Sequence, residues 1–293
     1  MRNPSTLHLP KHTQRERTMN VLVLTNNCAS LPSLELLAGR QQLSAVYAPL
    51  PATPETQAIS DWAAARSVPF FWIGKDLLEE ELAYFTGEFA DHLVLSFGFP
   101  WKIPARLLSG EVPRFFNVHF SLLPAYAGPT PLFWQLRDGC TRGGVTLHRI
   151  TATLDGGPIA GQAAVTLLPG ENAGLYSSRL AAAAVPLIRN LADTLTRGEV
   201  PDLKPQALSE RSYQRRPGAE DLEIDWSRHS AAFVEALVNA ANPVAGGALA
   251  FFRGIPVRIL EVTPADGSIP AGTAGGTIIH SDAAQGLFVT CAD

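Results

Sequence analysis

From Asn20 onward, short apolar, β-branched runs alternate with helix-patterned segments, the arrangement expected of βαβ units with parallel strands. VLVLT (Val21 to Thr25) reads as a buried strand, and LPSLELLAG after it as a helix with Gly39 as its C-cap. LSAVYAP (Leu43 to Pro49) predicts a second strand, Glu55 to Ser67 a helix, and VPFFWI (Val68 to Ile73) a third strand. HLVLSFGF (His92 to Phe99), the start of FFNVHFSLLP (Phe115 to Pro124), GVTLHRI (Gly144 to Ile150) and AAVTL (Ala163 to Leu167) continue the strand series. The alanine- and leucine-rich stretch from Asn172 to Arg197 predicts a long helix that stops near Gly198. After about Pro205 the pattern changes: HSAAFVEALVNAA predicts one helix, and LAFF, IPVRILEV, GTIIHS and LFVTCA predict closely spaced short strands. Two units are therefore expected, an α/β domain over 19–205 and a smaller β-rich domain over 206–293. The final strand pattern runs to the last residue, so an incomplete second domain is one expectation.

Residues 1–18 are polar and basic, with no apolar core of a secretory signal, and precede a second methionine, Met19. They are expected to be a disordered extension. No apolar run approaches the roughly 18 residues that cross a bilayer, so no membrane span is expected. With 46% hydrophobic and 17% charged residues, the 293-residue chain has the balance of a soluble globular protein. Its net charge of −4 carries no electrostatic footprint for nucleic acid. Cys28, Cys140 and Cys291 are too few and too scattered for a disulfide framework or a zinc site, which fits a reducing cytoplasm and predicts no metal.

The first strand is followed by TNNCASLPSLELL, so the dinucleotide fingerprint and the phosphate-binding P-loop are both absent, as are G-x-S-x-G, HExxH and CxxC. What remains is an amide and an imidazole two positions apart, Asn117 and His119, which project from one face of a strand. Asp155 stands in a sharp turn, TATLDGGPI, after another strand. Together these side chains suit acyl transfer to an amine. Asn117 can donate to the developing oxyanion, His119 can carry a proton near neutral pH, and Asp155 can orient and support the charged imidazole. Taken singly, each also has a structural reading: a satisfied histidine, a turn-forming asparagine, a turn aspartate before Gly-Gly. The aromatics Phe97, Phe99, Trp101, Phe133 and Trp134 read as core, and His92 and His148 as structural.

FNVHFSLLPAYAGPTPLFWQLRDG followed by GGVTLHRITATLDGGPIAGQ resembles the formyltransferases that use 10-formyltetrahydrofolate, particularly the methionyl-tRNA formyltransferase-like branch. IDWSRHSAAFVEALVNAANP and FFRGIPVRILEV are similar to that family's C-terminal barrel domain. The resemblance implies an α/β, Rossmann-like catalytic domain with a smaller β-rich, OB-like C-terminal domain. It also implies the catalytic trio Asn117, His119 and Asp155. Folate is implied to sit against Leu95, Ser96, Phe97, Gly98 and Phe99, against Ser121, Leu122, Leu123 and Pro124, and against Thr153 and Leu154. Phe120, Ala127 and Gly156 stand where family members commonly have Pro, Arg and Thr. The loop LPATPETQAISDW has no Lys or Arg where tRNA-formylating members carry a basic insertion. Arg211, Arg215, Arg216 and Arg228 cluster near the linker, either solvated or paired with Glu220, Asp221 and Glu223. The expectation is formyl transfer from 10-formyltetrahydrofolate to a small primary amine, such as an amino sugar or amino acid derivative, free or bound to a carrier. tRNA is the second acceptor, and a formyl-donor hydrolase or a non-catalytic folate-binding protein are the readings from other classes.

Overall fold

Alternation along the first strand shows how the layers arise. Of β1 (Asn20–Thr25), Val21 and Val23 enter one core and Leu22 and Leu24 another, so the strand is apolar throughout because both its faces are covered. The computed structural model describes residues 19–293 apart from 90, 111, 113, 268 and 285. The expected extension at 1–18 lies outside the described residues.

The chain continues through α1 (Leu31–Gly39), β2 (Leu43–Pro49), α2 (Pro54–Ala65), β3 (Phe70–Ile73), α3 (Leu78–Glu88), β4 (His92–Phe97) and β5 (Phe115–His119). Then come α4 (Pro131–Arg137), β6 (Arg142–Arg149), β7 (Ile159–Thr166) and α5 (Ala173–Thr196). Among the described residues, one sheet has the order β3-β2-β1-β4-β5-β6-β7. Its first five strands are parallel, as expected of βαβ units, and β6 runs antiparallel to both its neighbours, β5 and β7. For β6 and β7 the connection sets the direction: no crossover helix lies between them, and a parallel return needs one.

On one face, Leu34 and Leu37 of α1 and Ile188 and Leu191 of α5 pack on Val21, Val23 and Val46. On the other, Leu78, Leu82 and Phe85 of α3 pack on Leu22, Leu24 and Val94. Local signals set the helix ends. Thr53 and Thr56 form a reciprocal capping box ahead of α2, with Pro54 at its first position. Asn172 accepts from the Leu175 N–H at the start of α5, and Gly198, with φ of 72°, lies just past its end. Gly39 is not a C-cap: it belongs to the last turn of α1, and the left-handed residue is Gln41 at φ 56°.

Beyond residue 205 come the single turn α6 (Ala219–Leu222), α7 (Ala231–Ala241), β8 (Ala248–Phe252), β9 (Ile255–Ile259), β10 (Ile278–Asp282) and β11 (Gly286–Val289). These strands pair as two hairpins, β8 with β9 and β10 with β11. A second core joins the two parts of the chain. Phe133, Trp134, Tyr176 and Leu180 pack with Val234, Leu237, Val238 and Ala248.

Candidate active site

The parallel neighbours β4 and β5 pair Ser96 with Asn117 and Phe97 with Val118, so their carboxyl ends finish side by side. The chain leaves β1 toward β2 on one side, and β4 lies on the other. A crevice therefore opens at this topological switch, the usual ligand position in open α/β sheets. A cleft of about 710 Å³ occupies it, with Asn27, Ser96, Gly98, Asn117, His119 and Asp155 among its lining residues. Gly98 has φ of 58°, and a Cβ there would stand 2.6 Å from Asn27 Nδ2, so glycine keeps the mouth open between β1 and β4.

Of the residues expected to meet folate, Ser96, Phe97, Gly98, Phe99, Thr153 and Leu154 line the cleft. Leu95 does not, because its side chain is buried in the core beneath β4. Ser121, Leu122, Leu123 and Pro124 do not either, because the backbone of Ser121 and Leu123 is tied to β6 and β7. Thr146 Oγ1 donates to Ser121 O at 2.6 Å and accepts from the Leu123 N–H at 3.1 Å, and Gln162 Nε2 donates to Leu123 O at 2.8 Å. Leu122 packs over Gly144, where a Cβ would come within 2.6 Å of it. The loop supports the site from behind. The aromatics expected in the core are found there, Phe97 within one sheet-face core, Phe99 and Trp101 packed against the other, and Phe133 and Trp134 in the second core; Phe97, Phe99 and Trp101 also form part of the cleft wall.

The trio meets at the cleft floor. His119 Nε2 lies 2.9 Å from Tyr126 O, and a carbonyl can only accept, so this nitrogen carries a proton. Nδ1 is then the basic nitrogen of the neutral ring, and it stands 3.8 Å from Asp155 Oδ1. The other oxygen of Asp155 accepts from the Gly128 N–H at 2.9 Å. Asp155 itself has φ of 50°, and its turn is braced from outside. Gln206 Nε2 donates to Asp155 O at 2.9 Å and to Gly157 O at 2.6 Å, while Arg211 Nη2 donates to Leu154 O at 2.7 Å. Gly157 is required because a Cβ would fall 1.9 Å from Arg149 O.

Burial lowers the basicity of His119, an effect that the Asp155 charge and the Tyr126 carbonyl only partly offset. For Asp155, burial alone would raise the carboxyl; the His119 ring and the Gly128 N–H are among the contacts that outweigh it and hold the group below its ordinary value. The pair is therefore a carboxylate beside a neutral imidazole that gains stabilisation when Nδ1 takes up a proton.

His148, read from the sequence as structural, belongs to this site. It lies opposite Asn117 in the β5–β6 register, with Nε2 3.2 Å from Asn117 Nδ2 and 3.7 Å from Asp155 Oδ1. Its sequence signal was an imidazole on the strand that runs into the Asp155 turn; antiparallel pairing was needed to place it. Sequence reasoning also missed the wall supplied by residues 212–216. The Ala127 N–H donates to Ser212 O and its carbonyl accepts from the Gln214 N–H, Trp134 Nε1 donates to Arg215 O at 2.7 Å, and Tyr213 and Arg216 face the cleft. Of the two alternatives open for the linker arginines, solvated or paired, Arg215 takes the second and pairs with Asp221 and Glu220. Among the described residues no cluster of His, Cys, Asp and Glu could hold a metal ion.

Residues 11–190 match the family model for "Formyl transferase", and residues 218–293 match "Formyl transferase, C-terminal domain". A methionyl-tRNA formyltransferase of Chloroflexus aurantiacus is 37% identical over 164 residues, covering 55% of this chain and 52% of that protein. The chain spans about half the length of the curated relatives it matches. Its fold is similar to that of a sugar N-formyltransferase from a Shewanella species (TM-score 0.66, 17% identity, 85% of this chain and 99% of that one). It is also similar to HypX from Aquifex aeolicus in complex with tetrahydrofolic acid (TM-score 0.65, 16% identity, 93% of this chain and 42% of that one). At these identities the likeness is one of fold.

Proposed function

Because the chain belongs to the formyl transferase family, we propose that it transfers a formyl group from 10-formyltetrahydrofolate to the primary amine of a small metabolite. The observation that carries this reading is the convergence of Asn117, His119 and Asp155 on one cleft at the sheet's carboxyl edge. In this reading residues 19–205 form the catalytic domain and 206–293 the C-terminal domain.

The cleft fits such a donor. Its volume of about 710 Å³ lies within the usual range for ligand pockets. Phe97, Phe99 and Ile150 offer apolar surface for a flat heterocycle, beside the backbone of 96–99 and 151–154, whose polar groups suit its edges. When bound, the folate supplies an activated formyl group. Asn117 Nδ2 donates to the formyl oxygen as charge grows there. His119 takes the amine's proton on Nδ1, and Asp155 Oδ1 stabilises the resulting imidazolium. The same nitrogen returns the proton to the departing group. A Ser or Cys nucleophile is not needed, because the amine attacks directly.

A small acceptor is favoured by the charge of the surface. The segment between β2 and α2 carries no Lys or Arg, and the cleft's own cations, Lys102 and Arg216, form no basic track for phosphates. An amino sugar or amino acid derivative, free or carrier-bound, fits this description. The 37% identity to a methionyl-tRNA formyltransferase favours tRNA as the second reading. Cys28, Cys140 and Cys291 are all unpaired, in keeping with a cytoplasmic setting. No helix among the described residues is long and apolar enough to cross a membrane.

Tetrahydrofolate release from 10-formyltetrahydrofolate, measured with a pool of small primary amines, with initiator methionyl-tRNA and with no acceptor, tests the proposal. Release confined to the amines supports it, and release with tRNA selects the second reading. Equal release without acceptor indicates a hydrolase, and binding without release a non-catalytic folate protein. His119→Ala is expected to abolish transfer and to keep folate binding; undiminished turnover in that variant refutes the assignment of the base.

A further inference from the structure

We propose that His148 is a positioning residue that orients the Asn117 amide so that an N–H faces the cleft, an inference that rests on Asn117 as the oxyanion donor. A carboxamide has two ends of similar shape, and only one of them can stabilise an oxyanion. Something must select it. In this protein the selection comes from a buried imidazole whose protonation pattern is set by the backbone.

His148 Nδ1 lies 3.0 Å from the carbonyl oxygen of Arg149. That oxygen can only accept, so Nδ1 holds a proton, and Nε2 of the neutral ring presents a lone pair. Directly across the β5–β6 register, Asn117 Nδ2 lies 3.2 Å from Nε2. With the amide reversed, the Asn117 oxygen would face that lone pair, acceptor against acceptor. The imidazole therefore admits the nitrogen and rejects the oxygen. The ring is 2% exposed, so water cannot take over this role. One Asn117 N–H is spent on His148. The second, on the same nitrogen, has no acceptor among the described residues, and Asn117 lines the cleft. Asp155 Oδ1, at 3.7 Å from His148 Nε2, is too far for a hydrogen bond and does not replace the asparagine.

The test has a structural and a kinetic arm. In protein labelled with ¹⁵N in its histidine rings and free of ligand, the neutral His148 ring is expected to carry its proton on Nδ1. A neutral ring protonated on Nε2 overturns the proposal, whether or not the protein proves to be a transferase. In the kinetic arm, His148→Leu is expected to lower kcat about 10- to 100-fold by releasing the amide. Both KM values and folate affinity should stay within twofold. His148→Gln, whose carboxamide oxygen can accept near the position of Nε2, should recover most of the rate. In an Asn117→Ala background, His148→Leu should change kcat by less than twofold, because the group it acts through is gone. An equal loss in both backgrounds, or a His148→Leu enzyme with unchanged kcat, refutes the role. If the leucine variant does not fold, the glutamine variant and the tautomer measurement decide. Wild-type protein inactive with every acceptor would refute the formyl-transfer reading and leave the tautomer result to stand by itself.

Discussion

Gly128 couples the linker wall to the catalytic carboxylate, so Gly128→Ala tests both with a single methyl group. Gly128 has φ of 118°, and a Cβ there would lie 2.1 Å from Gln214 O and 3.3 Å from Tyr213 Cε2. Real Cβ contacts do not come closer than 3.0 Å, so the wall must retreat by at least 0.9 Å, the difference between 3.0 and 2.1. Two costs follow. Holding alanine at positive φ takes roughly 1–2 kcal/mol. Pushing Gln214 away weakens its 2.7 Å backbone bond to Ala127 O, worth about 1 kcal/mol. The sum, roughly 2–3 kcal/mol, corresponds to a fall in Tm of about 4–12 °C for a chain of this size. The Gly128 N–H also helps to hold Asp155 ionised, through a 2.9 Å bond to Oδ2. Displacing it moves the carboxylate away from His119, and a shift of this size is expected to lower kcat by about 10- to 100-fold. Thermal melts and tetrahydrofolate release on the same preparations check both halves. A variant that melts within about 1 °C of wild type and keeps its turnover would refute the reasoning, because the wall would then yield at no cost.

Asp155→Asn removes a charge that raises His119, so the acid limb of kcat/KM should move to lower pH while the plateau falls; a shift to higher pH contradicts the pairing. His119 and His92 are both lowered mainly by burial. Below about pH 6.5 the unfolded chain binds protons at these rings that the folded chain refuses, so stability should decline as pH falls from there to the folded values. Melts between about pH 8 and pH 5.5 should show this loss, smaller in His119→Asn; equal losses in the two proteins would remove His119 as a cause. Leu237→Ala cuts into the core shared by α5 and α7, where Leu237 is fully buried. It should cost about 2–5 kcal/mol and keep a single denaturation transition, whereas two separate transitions would show that the parts unfold independently.

The His119–Asp155 pair also explains how one short segment carries the chemistry. A base buried enough to remain neutral would be a poor proton carrier without a counter-charge. Asp155 supplies that charge at 3.8 Å, and the turn that holds it is tied at three backbone carbonyls by Gln206 and Arg211. The rigidity is bought largely by residues outside the cleft, so variants of Gln206 or Arg211 are expected to act on rate through the turn's position.

Much of this was legible in the chain itself. Continuous apolar runs mark β1 and β4 because both sheet faces are covered, and the period of two by itself puts Asn117 and His119 on one face. Asn172 and Gly198 bounded α5 because capping is a local matter of a few residues. Tertiary structure decided the rest, where contacts join distant residues. Only the antiparallel register between β5 and β6 placed His148 against Asn117, 31 positions away. Only packing turned Ser121, Leu122, Leu123 and Pro124 away from the cleft, with Thr146 and Gln162 taking up the backbone groups of Ser121 and Leu123. Only the fold brought Tyr213 and Arg216 to the wall, through backbone bonds from Ala127 that no local pattern announces. Periodicity and caps act over a few neighbouring residues and can be read along the chain, whereas register, burial and the partner of each polar atom are properties of the whole fold.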